Sequence, residues 1–256
     1  MRIPMDIIGS KEKAVAVIDV PEEQAEAAVE EIRKRYKHVK SILLKIGGRE
    51  GVYRICNTKL IWGSQDTEVI HKENKYLLKL DPLRVYFSPR EATERQRIAK
   101  LVKPNERVLV MFSGVAPYAI AIAKAQKDVE EIVCVDINLV ATQYATENVK
   151  LNKLDDKIKV YCWDVREASG LGKFDRIIMP LPETGYQYID VAHRSAKEHA
   201  IIHLYGISET KDFSDFEKKL KDYAQRFGIK IKILRKSKVS EYAPHKVKVR
   251  FDFQFL

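Results

Sequence analysis

The stretch Val108–Asp136, VLVMFSGVAPYAIAIAKAQKDVEEIVCVD, constrains the fold more than any other part of the chain. An apolar run over Val108–Phe112 ends in a turn at Gly114. A helical segment over Tyr118–Lys127 follows, and a second apolar run, Ile132–Val135, ends on Asp136. Two continuous apolar strands joined by a helix form a βαβ unit covered on both faces, and an open sheet built this way binds ligands over the carboxyl ends of its strands. Asp136 follows Gly114 by 22 residues, near the spacing of about 20 at which a carboxylate meets a ribose hydroxyl. The turn holds one glycine, where a dinucleotide fingerprint uses three to bring backbone against a pyrophosphate. Two readings fit: a plain α/β core, or a site for a nucleoside cofactor without phosphates, with S-adenosylmethionine the natural candidate.

The alternation continues. Helix Val140–Asn152, strand Ile158–Trp163, strand Phe174–Met179, helix Tyr186–Ala196, strand Ala200–Tyr205 and helix Phe213–Phe227 follow. Strands Lys230–Lys236 and Lys246–Phe253 close the chain without a helix between them, so they form an antiparallel end. This predicts an α/β fold with a mostly parallel seven-stranded, Rossmann-like sheet over residues 105–256. A small α+β domain is expected over 1–82, with strands at Ala14–Val20, Ser41–Ile46, Gly51–Cys56, Thr58–Trp62 and Tyr76–Leu80 and a helix from Pro21 to Tyr36. The paired glycines of Lys45–Glu50, KIGGRE, predict a loop. Residues 83–104 form a bridge: a strand ending at Phe87, then a helix capped by Ser88-Pro89 and running to about Val102.

The net charge of +10, from 46 basic and 36 acidic residues, favours a polyanionic partner such as nucleic acid. No apolar run reaches the roughly 18 residues of a membrane span, and Met1–Lys13 lacks the apolar segment of a signal peptide. A soluble cytoplasmic protein, without membrane contact and monomeric, is expected. Cys56, Cys134 and Cys162 sit among strand-like residues without metal-ligand spacing and are expected to be small buried hydrophobes.

Asp136 and Asp164 both fall at strand ends, where a carboxylate can hold a ribose diol or accept from an adenine amino group. The same positions suit an Asp that only caps a helix or turn. Beyond the fourth strand of this sheet, Pro180-Leu181-Pro182 stiffens a loop beside the expected site.

FSPREATER (Phe87–Arg95), the MFSGVAPY turn, VDIN with the later ENVKLNK, and the Leu181-Pro182 pair stand in one order over much of the chain. Together they resemble the archaeal and eukaryotic tRNA (guanine-37 N1)-methyltransferases, and DIIG and the Tyr53-Arg54 strand extend the resemblance to the small domain. The resemblance implies a class I methyltransferase fold, S-adenosylmethionine as cofactor and the tRNA anticodon loop as partner. It implies Glu94 as the base that removes the guanine N1 proton and Arg54 as the cation facing the developing charge on O6. Methyl transfer needs both functions, because deprotonation makes N1 nucleophilic and loads charge onto the oxygen. The donor is an activated sulfonium, so the transfer requires no metal. Around the cofactor the resemblance places Tyr86, Arg95, Phe112, Gly114, Asp136, Ile137, Asn138, Asp164, Val165 and Pro182, with Arg90 near the substrate.

Three positions depart from the family pattern: Val110 replaces an acid, Ala116 a glycine and Pro180 an asparagine. The family form with an additional N-terminal domain is longer than this chain. Two further readings stay open. One is a wybutosine-pathway aminocarboxypropyltransferase using the same cofactor, which shares the Tyr242-Ala243-Pro244 turn. The other is a non-catalytic tRNA-binding paralogue. Asp136, and Glu94 in its TER context, favour methyl transfer.

Overall fold

The computed structural model describes residues 3–50 and 55–256. Near the N-terminus, strands β1 (Met5–Gly9), β2 (Ala14–Ile18), β3 (Val39–Glu50) and β4 (Ile55–Gly63) form a sheet in the order β1-β2-β3-β4. Helix α1 (Ala25–Arg35) buries Ala25, Ala28 and Ile32, which share one face, against Ala16, Ile18 and Ile42 of this sheet. Burying a side chain of isoleucine size stabilises by about 1.5–3 kcal/mol, which fixes the helix to the sheet.

The loop expected at KIGGRE is instead the end of β3, still paired with β4. The ladder slips between Lys45 and Arg49. Glycine inside a strand marks such a bulge as readily as it marks a loop, and a long hairpin partner decides between them. Of the strand expected at Gly51–Cys56, residues 51–54 lie outside the described residues, and Ile55 and Cys56 open β4. Strands β5 (Val69–Glu73) and β6 (Tyr76–Leu80) form a hairpin. Asn148 and Asn152 tie its backbone to a helix of the large domain: each accepts from and donates to β6.

No strand forms at residues 84–87. Arg84 and Val85 donate to the Asp81 carbonyl in a turn, and Val85 and Phe87 are buried. The alternation of inward and outward side chains is real, but no strand edge lies alongside to pair with it. Helix α2 (Ala92–Ala99) follows a short 3-10 turn at Pro89–Glu91 and ends before the expected Val102.

The large sheet has the order β12-β13-β11-β10-β7-β8-β9, with β7 (Arg107–Met111), β8 (Glu131–Asp136), β9 (Ile158–Cys162), β10 (Phe174–Met179), β11 (Ala196–Ser208), β12 (Ile231–Ala243) and β13 (Lys246–Phe255). Only β13 runs against the others. Helices α3 (Pro117–Ala125), α4 (Leu139–Leu151), α5 (Ile189–Ser195) and α6 (Ser214–Gln225) connect the strands. The runs VLVM and IVCV are buried throughout, as strands covered on both faces require. The sheet reverses its order between β7 and β10, so the ligand crevice is expected above that boundary. Cys134 is buried in β8, whereas Cys162 is exposed, because it ends the edge strand β9.

Candidate active site

A cavity of about 910 Å³ opens above the carboxyl ends of β7, β8, β9 and β10. That volume is near the upper end of the range for small-molecule sites. The small domain contributes Asp19, Lys45 and Gly47 to its wall, and the β12–β13 hairpin contributes Val239–Tyr242 and Lys248.

The turn after β7 bends through three left-handed residues: Phe112 (φ 53°), Gly114 (φ 54°) and Ala116 (φ 65°). A side chain in this region costs roughly 1–2 kcal/mol, and such strain is held in place where surrounding packing overdetermines it. Ala116 is fully buried there and precedes α3, with Pro117 in the first helical turn. The turn is tied to β8 by one carboxylate. Asp136 Oδ2 accepts from the Gly114 amide at 2.7 Å, and Oδ1 accepts from the Asn138 amide at 2.9 Å. Asn138 in turn caps α4, accepting from the amides of Val140 and Ala141. Removal from bulk water raises the Asp136 pKa above the ordinary aspartate range, against the lowering effect of the amides that bond it.

Asp164 stands after β9, accepts from the Arg166 amide at 2.9 Å and pairs with the Arg166 guanidinium at 2.8 Å. That guanidinium lies 5.3 Å from the centre of the Tyr188 ring, and Phe112 meets the same ring edge-on at 5.0 Å. Tyr86, Phe112, Gly114, Asp136, Ile137, Asn138, Asp164, Val165 and Pro182 all line the cavity, as does Arg90. Arg90 pairs with Asp6 of β1 at 2.5 Å, which pins the bridge to the small domain.

These residues fit a nucleoside cofactor. A β-carbon added at Gly114 would meet nothing nearer than the Tyr86 carbonyl oxygen at 4.0 Å, so its backbone is open to a ligand. Two carboxylates stand ready for a diol and an amino group, and Ile137 and Val165 offer apolar surface to a ring.

Two expected residues are placed elsewhere. Arg95 does not line the cavity. It is 2% exposed and forms a two-pronged ion pair with Glu73 of β5, because its position on α2 turns the side chain toward the β5–β6 hairpin. Glu94 is also absent from the cavity wall. Its carboxylate accepts from Arg97 at 2.5 Å and 2.8 Å, from the Tyr205 hydroxyl at 2.5 Å and from Arg250 at 3.0 Å. Arg54 lies outside the described residues. Among the three departures, Val110 is buried within β7 and does not line the cavity, whereas Pro180 does.

Glu94 belongs to a buried polar row across one face of the sheet. Lys248, Arg250 and Asp252 alternate along β13, and His203 and Tyr205 face them from β11. Arg250 donates to Glu94 and to Asp252, and Asp252 bonds His203 Nδ1 at 2.6 Å. Arg176 lies 2.7 Å from His203 Nε2. A guanidinium can only donate, so Nε2 accepts and the ring is neutral with its proton on Nδ1. Burial lowers the His203 pKa in agreement with that state. Burial likewise raises the Tyr205 pKa well above its ordinary value, which keeps the hydroxyl a donor. At the cavity end of the row, Lys248 donates to Glu91 at 2.5 Å, and both residues line the wall. Sequence reasoning missed Glu91, Arg166, Tyr188 and Lys248. The signal for the last was available: KVKVRFD places four charged residues at period two in a strand that must be buried.

Comparison with known proteins finds similar sequences and structures over most of the chain. The TRM5/TYW2 methyltransferase domain matches residues 69–233. The tRNA (guanine(37)-N(1))-methyltransferase Trm5b of Pyrococcus abyssi is 37% identical over 253 residues, 97% of this chain and 74% of the relative. The tRNA(Phe) (4-demethylwyosine(37)-C(7)) aminocarboxypropyltransferase of Methanocaldococcus jannaschii is 32% identical over 240 residues, covering 93% of this chain and 95% of that protein. A solved complex of aTrm5 with tRNALeu superposes with a TM-score of 0.85 at 32% identity, over 99% of this chain and 72% of that one.

Proposed function

We propose that this chain, which belongs to the TRM5/TYW2 methyltransferase family, moves a methyl group from S-adenosylmethionine to N1 of guanine 37 in the anticodon loop of tRNA. The observation that carries the reading is the cavity itself. Asp136, Asp164 and Glu91 all line it, and Glu94 follows Glu91 by three residues, its carboxylate held behind the wall by Tyr205 and Arg250. Similarity to Trm5b over 97% of the chain supports the choice of guanine N1.

Bound S-adenosylmethionine supplies a sulfonium methyl group that a ring nitrogen can attack. The chain's own residues do the rest. Asp136 takes the ribose diol while its amide donors hold the carboxylate in place. Asp164 accepts from the adenine amino group, and Ile137 packs on the ring. Glu94 takes the N1 proton of the target base. Its hydrogen bonds to Arg97, Arg250 and Tyr205 fix the carboxylate in orientation. Arg54 meets the charge that develops on O6. Deprotonation leaves on N1 the electron pair that a bound sulfonium methyl group would accept, its former bonding pair staying with sulfur. A net charge of +10 supports attraction to the tRNA backbone.

Unmodified tRNA transcript, incubated with cofactor labelled either in the methyl group or in the aminocarboxypropyl chain, tests the reading. Methyl label on the RNA is the expected result. Chain label would assign the aminocarboxypropyl transfer carried out by the M. jannaschii relative, and no transfer with no cofactor binding would remove both enzymatic readings.

A further inference from the structure

We propose that Lys248 reads O6 of the target base and that Glu91 positions it, so that this pair distinguishes guanine from adenine in the cavity. The inference rests on the reading of the protein as a guanine-modifying enzyme. Lys248 and Glu91 form an ion pair at 2.5 Å, with side chains only 5% and 17% exposed, yet both line the cavity. An ammonium carries three donors. One goes to Glu91, and the Lys248 nitrogen also stands 4.8 Å from the centre of the Tyr205 ring. The ammonium therefore keeps donor capacity beyond Glu91, in a wall whose other cations, Lys45, Arg90 and Arg166, come from the small domain, the bridge and the loop after β9.

Strand order places this pair at the acceptor end. Asp136 and Asp164 mark the nucleoside end, at β8 and β9, whereas Lys248 lies on β13, beyond β7, β10 and β11. With strands about 4.8 Å apart, β13 and β8 stand roughly 19 Å from each other, room for a nucleoside cofactor and a base end to end. Lys248 pairs in register with Ile207 on β11, three positions past Leu204, which faces Met179 at the end of β10. It therefore stands near the carboxyl end of β11, in the same cavity wall as Pro180, which has no side-chain amide to present a base. Tyr205 links the pair to the proposed base, since its ring faces Lys248 and its hydroxyl donates to Glu94.

The chemistry is selective. Guanine offers the O6 acceptor to an ammonium, and adenine offers a donor amino group at the same place. Glu91 holds the ammonium by charge and keeps it from folding back along the strand.

The test is the charge-reversed double variant Glu91→Lys with Lys248→Glu, alongside Lys248→Met. Each is compared with the wild type in equilibrium binding of two transcripts that differ only in G37 or A37, with S-adenosylhomocysteine present. Phosphate contacts are common to both transcripts, so the ratio isolates the base. The wild type should prefer G37 by about tenfold or more. Lys248→Met should lower the ratio by about threefold or more, with the rest of the preference left to the groups proposed at N1 and O6. The reversed pair keeps its attraction, so the melting temperature should stay near that of the wild type, while its carboxylate faces position 6 and the preference moves to A37. Retention of the G37 preference by the double variant, or no preference in the wild type, overturns the proposal. Failure of the wild type to methylate any tRNA overturns the functional reading separately, because discrimination is read by binding without transfer.

Discussion

Replacing Asp136 with Asn should weaken S-adenosylmethionine binding by about 3 kcal/mol, roughly 150-fold, while leaving the fold intact. The magnitude follows from what the carboxylate does. One oxygen accepts from Gly114 at 2.7 Å, the other from Asn138 at 2.9 Å, and the residue lines the cavity. A ribose diol donating to this carboxylate makes charge-assisted hydrogen bonds, each worth about 1.5–3 kcal/mol. Asn keeps the shape but turns one oxygen into an NH2 group, which then opposes either a backbone N–H or a ribose O–H. Isothermal titration calorimetry reads the loss directly, and S-adenosylhomocysteine, which shares the ribose, should lose the same factor. The Asp136 pKa is raised by burial, so wild-type affinity should also fall on acidification, beginning above the ordinary aspartate range of about 4. The stability effect has the opposite sign. A folded pKa above the unfolded one means that the ionised carboxylate costs stability, and this cost grows as pH rises from the unfolded value through the folded one. Affinity of Asp136→Asn within about threefold of wild type at neutral pH would refute the role given to this residue.

Arg95→Met should destabilise the protein by about 3–5 kcal/mol in urea unfolding, because it leaves Glu73 buried without its partner, yet bind the cofactor normally where folded; a selective loss of cofactor affinity would return Arg95 to the cavity. Glu94→Gln should lower turnover by about 10²–10⁴-fold in single-turnover assays with little change in cofactor affinity, and equal loss of both would remove Glu94 as the base. The buried, neutral His203 has a lowered pKa, so the unfolded state takes a proton that the native state refuses. Stability should therefore fall as pH drops through about 6.5, with a limiting slope of about 1.4 kcal/mol per pH unit, and His203→Gln should flatten that dependence in urea titrations at several pH values.

The large domain was readable because its strands are buried on both faces and its connections obey one rule. VLVM, IVCV and the acid at Asp136 specify a parallel sheet buried on both faces and a crevice at its strand ends, while the order reversal comes from the structure. The small domain was harder. Gly47 and Gly48 punctuate a loop or a bulged strand equally well, and only the pairing of β3 with β4 decides. Residues 84–87 show the converse, an alternating pattern with no edge to join. At the site, the residues fixed by backbone geometry were the legible ones: the turn at Gly114, Asp136 at a strand end, and Asp164 as a cap. Directions of side chains on α2 were not. One turn of helix separates Glu91, which faces the cavity, from Glu94, and Arg95 beside it points to another sheet altogether. Lys248 comes from the far end of the chain, and nothing local in KVKVR says that it meets Glu91, 157 residues earlier.

The central claim concerns which atom receives the methyl group. A tRNA transcript bearing G37, incubated with the wild-type protein and S-adenosylmethionine, should yield 1-methylguanosine on nucleoside mass spectrometry. The same transcript with A37 should yield no methylated nucleoside at that position. A methyl group on any other atom of G37, equal modification of the A37 transcript, or an aminocarboxypropyl adduct in place of the methyl would contradict the account.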